Sequence, residues 1–140
     1  MSVYADTSFL VSLLTQDIHT ERARAIVSRG LTFRYSVWCR AEFCGAIHAR
    51  ARAMKAADAA IFLAAIDILD AWAERAGPVT PMHVDDFSRA EQLTRRRELK
   101  LRAPDALHLA VALRHRLELV TFDDGMASAA VALGMTVVQE

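Results

Sequence analysis

Cysteine is scarce in this sequence, which argues against a fold held together by disulfide bonds. Only two cysteines, Cys39 and Cys44, occur among the 140 residues, whereas small secreted scaffolds are dense in them. The two lie five positions apart in a predicted helix, roughly 140° apart around its axis, so they are badly placed to pair or to share a metal. We interpret both as small buried apolar side chains in a reducing cytoplasm.

Long apolar runs and an excess of charge of one sign are also lacking. No stretch reaches the ~18 uninterrupted apolar residues that a membrane helix needs, and no positively charged leader precedes the first apolar segment. Because Lys plus Arg and Asp plus Glu each number 17, the formal net charge is zero. We therefore expect a cytoplasmic protein without membrane contact, in which any bound nucleic acid is attracted by a local patch.

The rest of the composition is that of an ordinary globular domain. Hydrophobic residues make up 54% of the sequence and charged residues 24%, which is typical of folded and not of disordered proteins. No internal repeat, low-complexity segment or long linker divides the chain. We therefore predict a single domain over residues 1–140.

Short β-type segments alternate with helical patterns along the chain. This alternation predicts an α/β fold in which a central parallel sheet of four to five strands is flanked by helices on both faces. We expect Thr7 and Ser8 to cap the first helix, and one long helix over 56–76. The predicted strands are 2–5, 31–35, 79–82, 119–122 and 136–138, the third weakened by its prolines.

A predicted helix start near residue 104 carries the first candidate functional residue. Pro104 suits the first turn, where its missing N–H costs nothing, and Asp105 follows where the helix dipole favours a carboxylate. The apolar positions 107–113 indicate that this helix is buried. Because an unpaired buried charge is costly, Asp105 needs a partner.

Three further acids are expected to meet Asp105 at one edge of the sheet. Asp6 and Asp123 each end a predicted strand, where open α/β sheets bind ligands, and Glu42 lies among apolar helix residues. Four carboxylates in one place repel one another unless a cation holds them. Oxygen ligands, without Cys or His at metal spacing, suit Mg²⁺ or Mn²⁺ rather than zinc, and such ions promote hydrolysis of phosphate esters.

The order and context of these acids resemble a known family. The segments Ala5-Asp6-Thr7-Ser8, Arg40-Ala41-Glu42-Phe43, Pro104-Asp105-Ala106-Leu107-His108-Leu109-Ala110 and Thr121-Phe122-Asp123 are similar to those of PIN-domain ribonucleases. Among these, the chain looks most like the VapC-type toxins of bacterial toxin–antitoxin pairs. An Asp-Thr-Ser start alone means little, but the four segments in this order are specific. The resemblance covers nearly the whole chain and implies a single PIN-like domain.

This resemblance implies a metal-dependent ribonuclease. Asp6, Glu42, Asp105 and Asp123 would form the metal centre, with Asp6 and Asp105 the first choice as direct ligands of Mg²⁺, or of Mn²⁺. A metal-activated water would attack an RNA phosphodiester and leave a 5′-phosphate and a 3′-hydroxyl. The resemblance also implies a cognate antitoxin, bound in a hydrophobic groove near the active site, and a homodimer.

Other residues are expected to support the carboxylates. By the resemblance, Ser8 and Thr121 match positions that orient the acids through hydrogen bonds, and Asp124 is an alternative to the acid before it. His108 lies on the same side of its helix as Asp105, and we interpret it as a packing residue or as a support for the carboxylates.

A basic run precedes Asp105. Basic residues dominate positions 95–102, where Glu98 is the only acidic residue. Such a run commonly forms a solvated helix end, but this one leads directly to the expected metal site. We expect Arg102 first, and then Lys100 and Arg97, to contact RNA phosphates, which position nucleic acid without reading its sequence.

The segment 61–72 is more apolar than one core-facing stripe requires. One interpretation is a deeply buried helix. The other is a groove or dimer face, since an amphipathic helix laid into a groove is a common recognition mode and symmetric dimers are the commonest oligomers.

Three other functions compete with the ribonuclease. A receiver-like signalling domain needs a Lys after a late strand, and neither Lys55 nor Lys100 follows a strand. A phosphatase of the haloacid dehalogenase type needs a second Asp two residues after the strand-end acid, where this chain has Ser8. The remaining alternative is a PIN fold that binds RNA or regulates without catalysis, against which the presence of all four acids argues.

Overall fold

A computed structural model describes residues 1–139 of the chain. Its elements alternate much as the sequence pattern predicts, and a short 3₁₀ turn over Arg97–Leu99 precedes the seventh helix. The strands are β1 (Ser2–Ala5), β2 (Thr32–Arg34) and β3 (Glu118–Val120). The helices are α1 (Thr7–Leu14), α2 (Thr20–Ser28), α3 (Val37–Ala51), α4 (Ala56–Leu63), α5 (Ala65–Ala76), α6 (Val84–Arg95), α7 (Ala103–Arg114) and α8 (Asp124–Ala132).

The sheet is parallel, as predicted, but it has three strands and not four to five. Its order is β2-β1-β3. The two other predicted strands each contribute a single parallel bridge, Ser36 with Thr80 and Leu119 with Val137. Prolines at positions 78 and 81 flank the first of these segments and cannot donate to a ladder.

Helices cover both faces of the sheet, which agrees with the prediction. Successive residues of a strand point to opposite faces, so Val3 and Ala5 belong to one hydrophobic cluster and Tyr4 to the other. The first cluster packs β1 against α1, α2, α3 and α5, whereas the second packs it against α6, α7 and α8. β1 is therefore buried on both sides.

The long helix predicted over 56–76 is interrupted at Ala64, giving α4 and α5. No Gly or Pro marks the break, but the two helices differ in burial. α5 buries Ala65 and Leu69 in the core, whereas α4 has no buried residue. The deeply buried interpretation of this segment is wrong, since Ile61 is 77% exposed and Ile68 is 48% exposed.

Helix caps bring two of the acids to the carboxyl edge of the sheet. Asp6 follows β1 directly and caps α1 by accepting from the Phe9 N–H, whereas Thr7 and Ser8 were expected to cap this helix. Asp123 caps α8 by accepting from the Met126 N–H. Within residues 1–139, no helix is long and apolar enough to cross a membrane.

Candidate active site

The four predicted acids line one cleft. Its volume is about 210 Å³, and Asp6, Glu42, Asp105 and Asp123 all contribute to its wall. They come from four places: the end of β1, the middle of α3, the first turn of α7 and the cap of α8. Parallel strands and the helices that follow them bring these distant positions to one edge.

Asp6 is the most buried of the four acids, being 1% exposed. Its Oδ1 accepts from the Phe9 N–H at 2.9 Å, its Oδ2 accepts from the Thr121 hydroxyl at 2.7 Å, and the Ser8 hydroxyl lies 2.9 Å from both oxygens. Burial raises the pKa of Asp6, although nearby His108 and these hydrogen bonds favour the charged form. Asp6 is thus a buried carboxyl group whose hydrogen-bond donors are all uncharged.

Ser8 and Thr121 also tie Asp6 to the loop after β3. The Phe122 N–H donates to Ser8 Oγ at 2.9 Å, and the Asp123 N–H donates to Thr121 Oγ1 at 3.0 Å. Both hydroxyl groups therefore contact an acid and the backbone that carries the next acid. This arrangement couples the position of Asp6 to that of Asp123.

Glu42 is held by two side chains that approach the same oxygen. Thr7 Oγ1 donates to Glu42 Oε2 at 2.7 Å, and His108 Nε2 lies 2.5 Å from that oxygen. Burial works to raise the pKa of Glu42, but the hydrogen bonds and charge of its neighbours outweigh it, so the pKa is lowered. His108, expected either to pack or to support the carboxylates, thus contacts one of the acids, whereas the contact of Thr7 was not predicted.

Asp105 and Asp123 each have one oxygen engaged. Arg102 Nε donates to Asp105 Oδ2 at 3.2 Å, and the Met126 N–H donates to Asp123 Oδ1 at 2.6 Å. The space beside Asp123 depends on Gly125, since a Cβ there would lie 3.2 Å from Oδ1. The second oxygen of each acid accepts no hydrogen bond from the described residues, and the same holds for Glu42 Oε1.

Two arginines line the cleft, and one of them was not predicted. Arg102 has a side chain that is 77% exposed, and it lies beside Asp105. Arg50 reaches the cleft from α3, where Glu42, Ala46 and Arg50 follow one another at intervals of four, the spacing of one helix face. That spacing was the available sequence signal.

The other predicted supporting residues lie outside the cleft wall. Lys100 and Arg97 are exposed in the turn before α7 but do not line the cleft. Asp124 is also exposed and borders a different depression, together with His19 and Phe122. Of the two neighbouring acids, Asp123 is therefore the one that faces the other carboxylates.

The family model of the PIN domain matches residues 3–132 of the chain. The chain belongs to the PIN-domain family. This finding confirms the family predicted from the four acidic segments. A comparison with curated protein sequences found no match.

Solved structures with the same fold include toxins and toxin–antitoxin complexes. This PIN domain is similar to VapC20 of Mycobacterium tuberculosis, described as a sarcin–ricin loop cleaving toxin, with a TM-score of 0.73 and 20% identity over 99% of both chains. It is also similar to a toxin–antitoxin complex from Klebsiella pneumoniae, with a TM-score of 0.64 and 21% identity over 98% of this chain and 96% of that one.

A third similar structure is VapBC2 from Rickettsia felis bound to a DNA fragment from their promoter. Its TM-score is 0.66, at 14% identity over 99% of this chain and 98% of that one. At these identities the similarity to each structure establishes a shared fold.

The donor set of this PIN domain fits a hard divalent cation. In the part of the chain that the structure describes, no three His, Cys, Asp or Glu side chains lie close enough to form a ready-made metal site. However, no Lys or Arg side chain within residues 1–139 hydrogen-bonds to the buried Asp6, and the three other acids each keep an oxygen without a hydrogen bond from those residues. A cation in the cleft would offset the charge of Asp6 and engage those oxygens.

Proposed function

We propose that this PIN domain is a Mg²⁺-dependent ribonuclease that acts as the toxin of a toxin–antitoxin pair. The observation that carries the proposal is the meeting of four carboxylates with two arginines in one cleft. Carboxylate oxygens suit Mg²⁺, with Mn²⁺ as a substitute. Arginine side chains suit the phosphates of the substrate.

In this proposal the acids bind the cation, and the neighbouring hydroxyl groups orient one of the acids. Asp6, Glu42, Asp105 and Asp123 would hold the cation, which when bound supplies an activated water and neutralises charge on the phosphodiester. Ser8 and Thr121 keep Asp6 in one orientation through their hydroxyl groups.

Phosphate binding is assigned to the basic residues around the cleft. We expect Arg102 and Arg50, which line the cleft, to contact the phosphates that flank the cleaved bond, and Lys100 and Arg97 to contact phosphates further along the strand. Because these contacts carry no base information, the choice of RNA depends on the shape and the unpaired bases of the substrate.

Two protein partners belong to this proposal. Several structures of the same fold are toxin–antitoxin complexes, which supports a cognate antitoxin. A groove beside α4 and α5, lined by Met54, Ile61, Phe62 and Ile68 among others, offers an exposed apolar surface for an antitoxin segment or for a second copy of the chain. A homodimer in the cytoplasm is the form we expect.

The direct test is cleavage of total cellular RNA by purified protein. We expect discrete fragments with Mg²⁺, none with EDTA, and none from the Asp105→Asn variant, whose side chain keeps its shape but lacks the charge. Glu74→Gln, an exposed acid on α5 outside the cleft, is the matched control and should cleave normally. Fragment ends bearing a 5′-phosphate would support the direction of water attack.

The alternative is a PIN fold that binds RNA without cleaving it. The observation that favours it is that no three of the carboxylates form a ready-made metal site within residues 1–139. If folded, antitoxin-free protein binds RNA but leaves it intact with Mg²⁺ and with Mn²⁺, the ribonuclease proposal is wrong and the binding module replaces it.

A further inference from the structure

A continuous chain of hydrogen bonds leads from the interior of the fold to Glu42. Tyr4, Ser36 and His108 are buried, being 0%, 0% and 1% exposed. The Tyr4 hydroxyl lies 2.8 Å from Ser36 Oγ and 3.0 Å from His108 Nδ1. On the other side of the imidazole ring, His108 Nε2 lies 2.5 Å from Glu42 Oε2. Residues from β1, the start of α3 and α7 thus form one series of hydrogen bonds that ends at a Glu42 oxygen.

The donor and acceptor roles in this series of hydrogen bonds follow from the group at its inner end, a backbone N–H that can only donate. The Cys39 backbone N–H donates to Ser36 Oγ at 3.1 Å, and the Ser36 hydroxyl then donates to Tyr4 Oη. With Tyr4 as the donor to His108 Nδ1, the N–H of the ring is the one on Nε2, which points at Glu42. In the reverse direction, the Ser36 proton finds no acceptor among the described residues.

The two oxygens of Glu42 differ in the hydrogen bonds that they accept. Both Thr7 Oγ1 and His108 Nε2 approach Oε2, at 2.7 Å and 2.5 Å. Oε1 receives no hydrogen bond within residues 1–139, and the residue lines the cleft. A carboxylate anchored through one oxygen presents the other in a fixed direction, which is how supporting hydrogen bonds preorganise a ligand.

We propose that His108 is a positioning residue that fixes the Glu42 carboxylate and so sets the affinity of the cleft for a divalent cation. This inference rests on the proposed metal-dependent function. Tyr4 and Ser36 contribute by holding the imidazole ring in one tautomer and one orientation. A merely structural role, joining α3 to α7, would change stability and leave metal affinity unaltered.

The test is the binding of Mn²⁺ to the RNA-free protein, measured by isothermal titration calorimetry. His108→Leu removes the donor, and we expect its Kd for Mn²⁺ to rise by about 10- to 100-fold, the usual effect of losing a hydrogen-bond partner behind a metal ligand. His108→Gln keeps an N–H that can reach Glu42 and should recover most of the affinity. Tyr4→Phe should give a smaller rise than His108→Leu.

The matched control is His115→Gln, at the end of α7 and outside the cleft, where the Nε2 atom has no hydrogen-bond partner among the described residues. Its Kd should equal that of the wild type. Thermal melting without metal reports whether each variant is folded, and Tyr4→Phe carries the test if His108→Leu does not fold. An unchanged Kd in the folded variants overturns the proposal, as does a wild type that binds no Mn²⁺.

The result separates this inference from the proposed function. Weakened Mn²⁺ binding by His108→Leu, in a protein whose wild type cleaves no RNA, supports the positioning role and contradicts the ribonuclease. If the variant binds Mn²⁺ as tightly as a wild type that cleaves RNA, the positioning role is contradicted and the ribonuclease is supported. In an active ribonuclease, excess Mn²⁺ should restore cleavage by His108→Leu, because the substitution acts on metal affinity.

Discussion

Asp6 is deeply buried, and no Lys or Arg side chain of the described residues hydrogen-bonds to it. The structure surrounds it with hydroxyl groups and one backbone N–H, and its pKa is raised by burial. Because the folded state holds the proton more tightly than the unfolded state, the charge of Asp6 costs stability. That cost appears as pH rises from the ordinary aspartate range towards the raised folded pKa, and it persists above it.

We therefore predict that Asp6→Asn stabilises the metal-free protein while abolishing cleavage. The melting temperature at pH 7 should rise by a few degrees, since about 1 kcal/mol corresponds to roughly 2–8 °C in small and medium domains. Mg²⁺ should raise the melting temperature of the wild type and leave that of Asp6→Asn nearly unchanged. Differential scanning calorimetry measures both.

The exposed Asp67 on α5 supplies the control for this experiment. Asp67→Asn should alter neither the metal-free melting temperature by more than a degree or two nor its response to Mg²⁺. A metal-free Asp6→Asn variant that melts well below the wild type would contradict the argument from burial.

At the residue scale, the sequence predicts the acids of the cleft but not all of their neighbours. Strand ends and helix starts have fixed places in a parallel α/β sheet, so Asp6, Asp105 and Asp123 could be predicted to share an edge. The contacts of Thr7 and Arg50 depend on which way each side chain turns from its helix. The four-residue spacing puts Arg50 on the helix face of Glu42. Packing between α1, α3 and α7 sets the direction in which that face and Thr7 turn, and no local pattern encodes this packing.

An ion pair with a buried carboxylate joins α6 to α7, beside the hydrophobic cluster that the two helices share. Asp86 is 1% exposed, and Arg114 donates to both of its oxygens, at 2.7 Å from Nε and 2.8 Å from Nη2. The same carboxylate caps α6 by accepting from the His83 N–H at 2.8 Å. Although burial opposes it, these donors hold the pKa of Asp86 below its usual range.

We predict that Arg114→Leu destabilises the fold by about 2–4 kcal/mol at pH 7, because it leaves a buried carboxylate without its cation. A lowered folded pKa contributes stability above the unfolded value near 4, which is lost as the pH falls. The difference between the variant and the wild type should therefore shrink between pH 5 and pH 3. Urea unfolding at each pH measures it.

Arg89→Leu, a substitution of an exposed arginine on α6, is the control for this element and should change stability by about 0.5 kcal/mol or less. A difference between Arg114→Leu and the wild type that stays constant across this pH range would exclude Asp86 as its source.

At the element scale, the sequence predicts helices better than the outer strands. The helices are amphipathic or apolar segments with clear ends, and the helix start predicted near residue 104 agrees with the first turn of α7. The segments around Thr80 and Val137 have β-type residues but form only one bridge each. The extent of a ladder depends on its partner strand, so composition alone predicts a strand without its length.

The break between α4 and α5 at Ala64 likewise depends on contacts distant in the sequence. The helical pattern continues through it, and only the burial of α5 against the core, with α4 left on the surface, distinguishes the two parts. Tertiary packing therefore decides this boundary.

On the scale of the whole molecule, a net charge of zero makes RNA binding depend on few contacts. Each phosphate that a basic side chain neutralises contributes about −0.7 to the slope of log K against log salt for a single strand. We predict that Arg50→Ala and Arg102→Ala each weaken the binding of a labelled single-stranded RNA in EDTA and make the slope shallower by about 0.7.

Fluorescence anisotropy over a range of salt concentrations measures this slope. Arg75→Ala, which removes an exposed charge from α5 outside the cleft, should leave the slope unchanged. Equal slopes for all three variants and the wild type would show that the cleft arginines do not contact phosphate.

The cleft combines residues from the beginning and the end of the sequence, and this has a consequence during synthesis of the chain. The first acid of the cleft is residue 6 and the last is residue 123, and the hydroxyl that holds Asp6 comes from Thr121. At about 5–20 residues per second, synthesis needs several seconds after Asp6 before Thr121 is available to it. A nascent chain that stops before that point lacks Asp123, so interrupted translation would release a protein without the complete cleft.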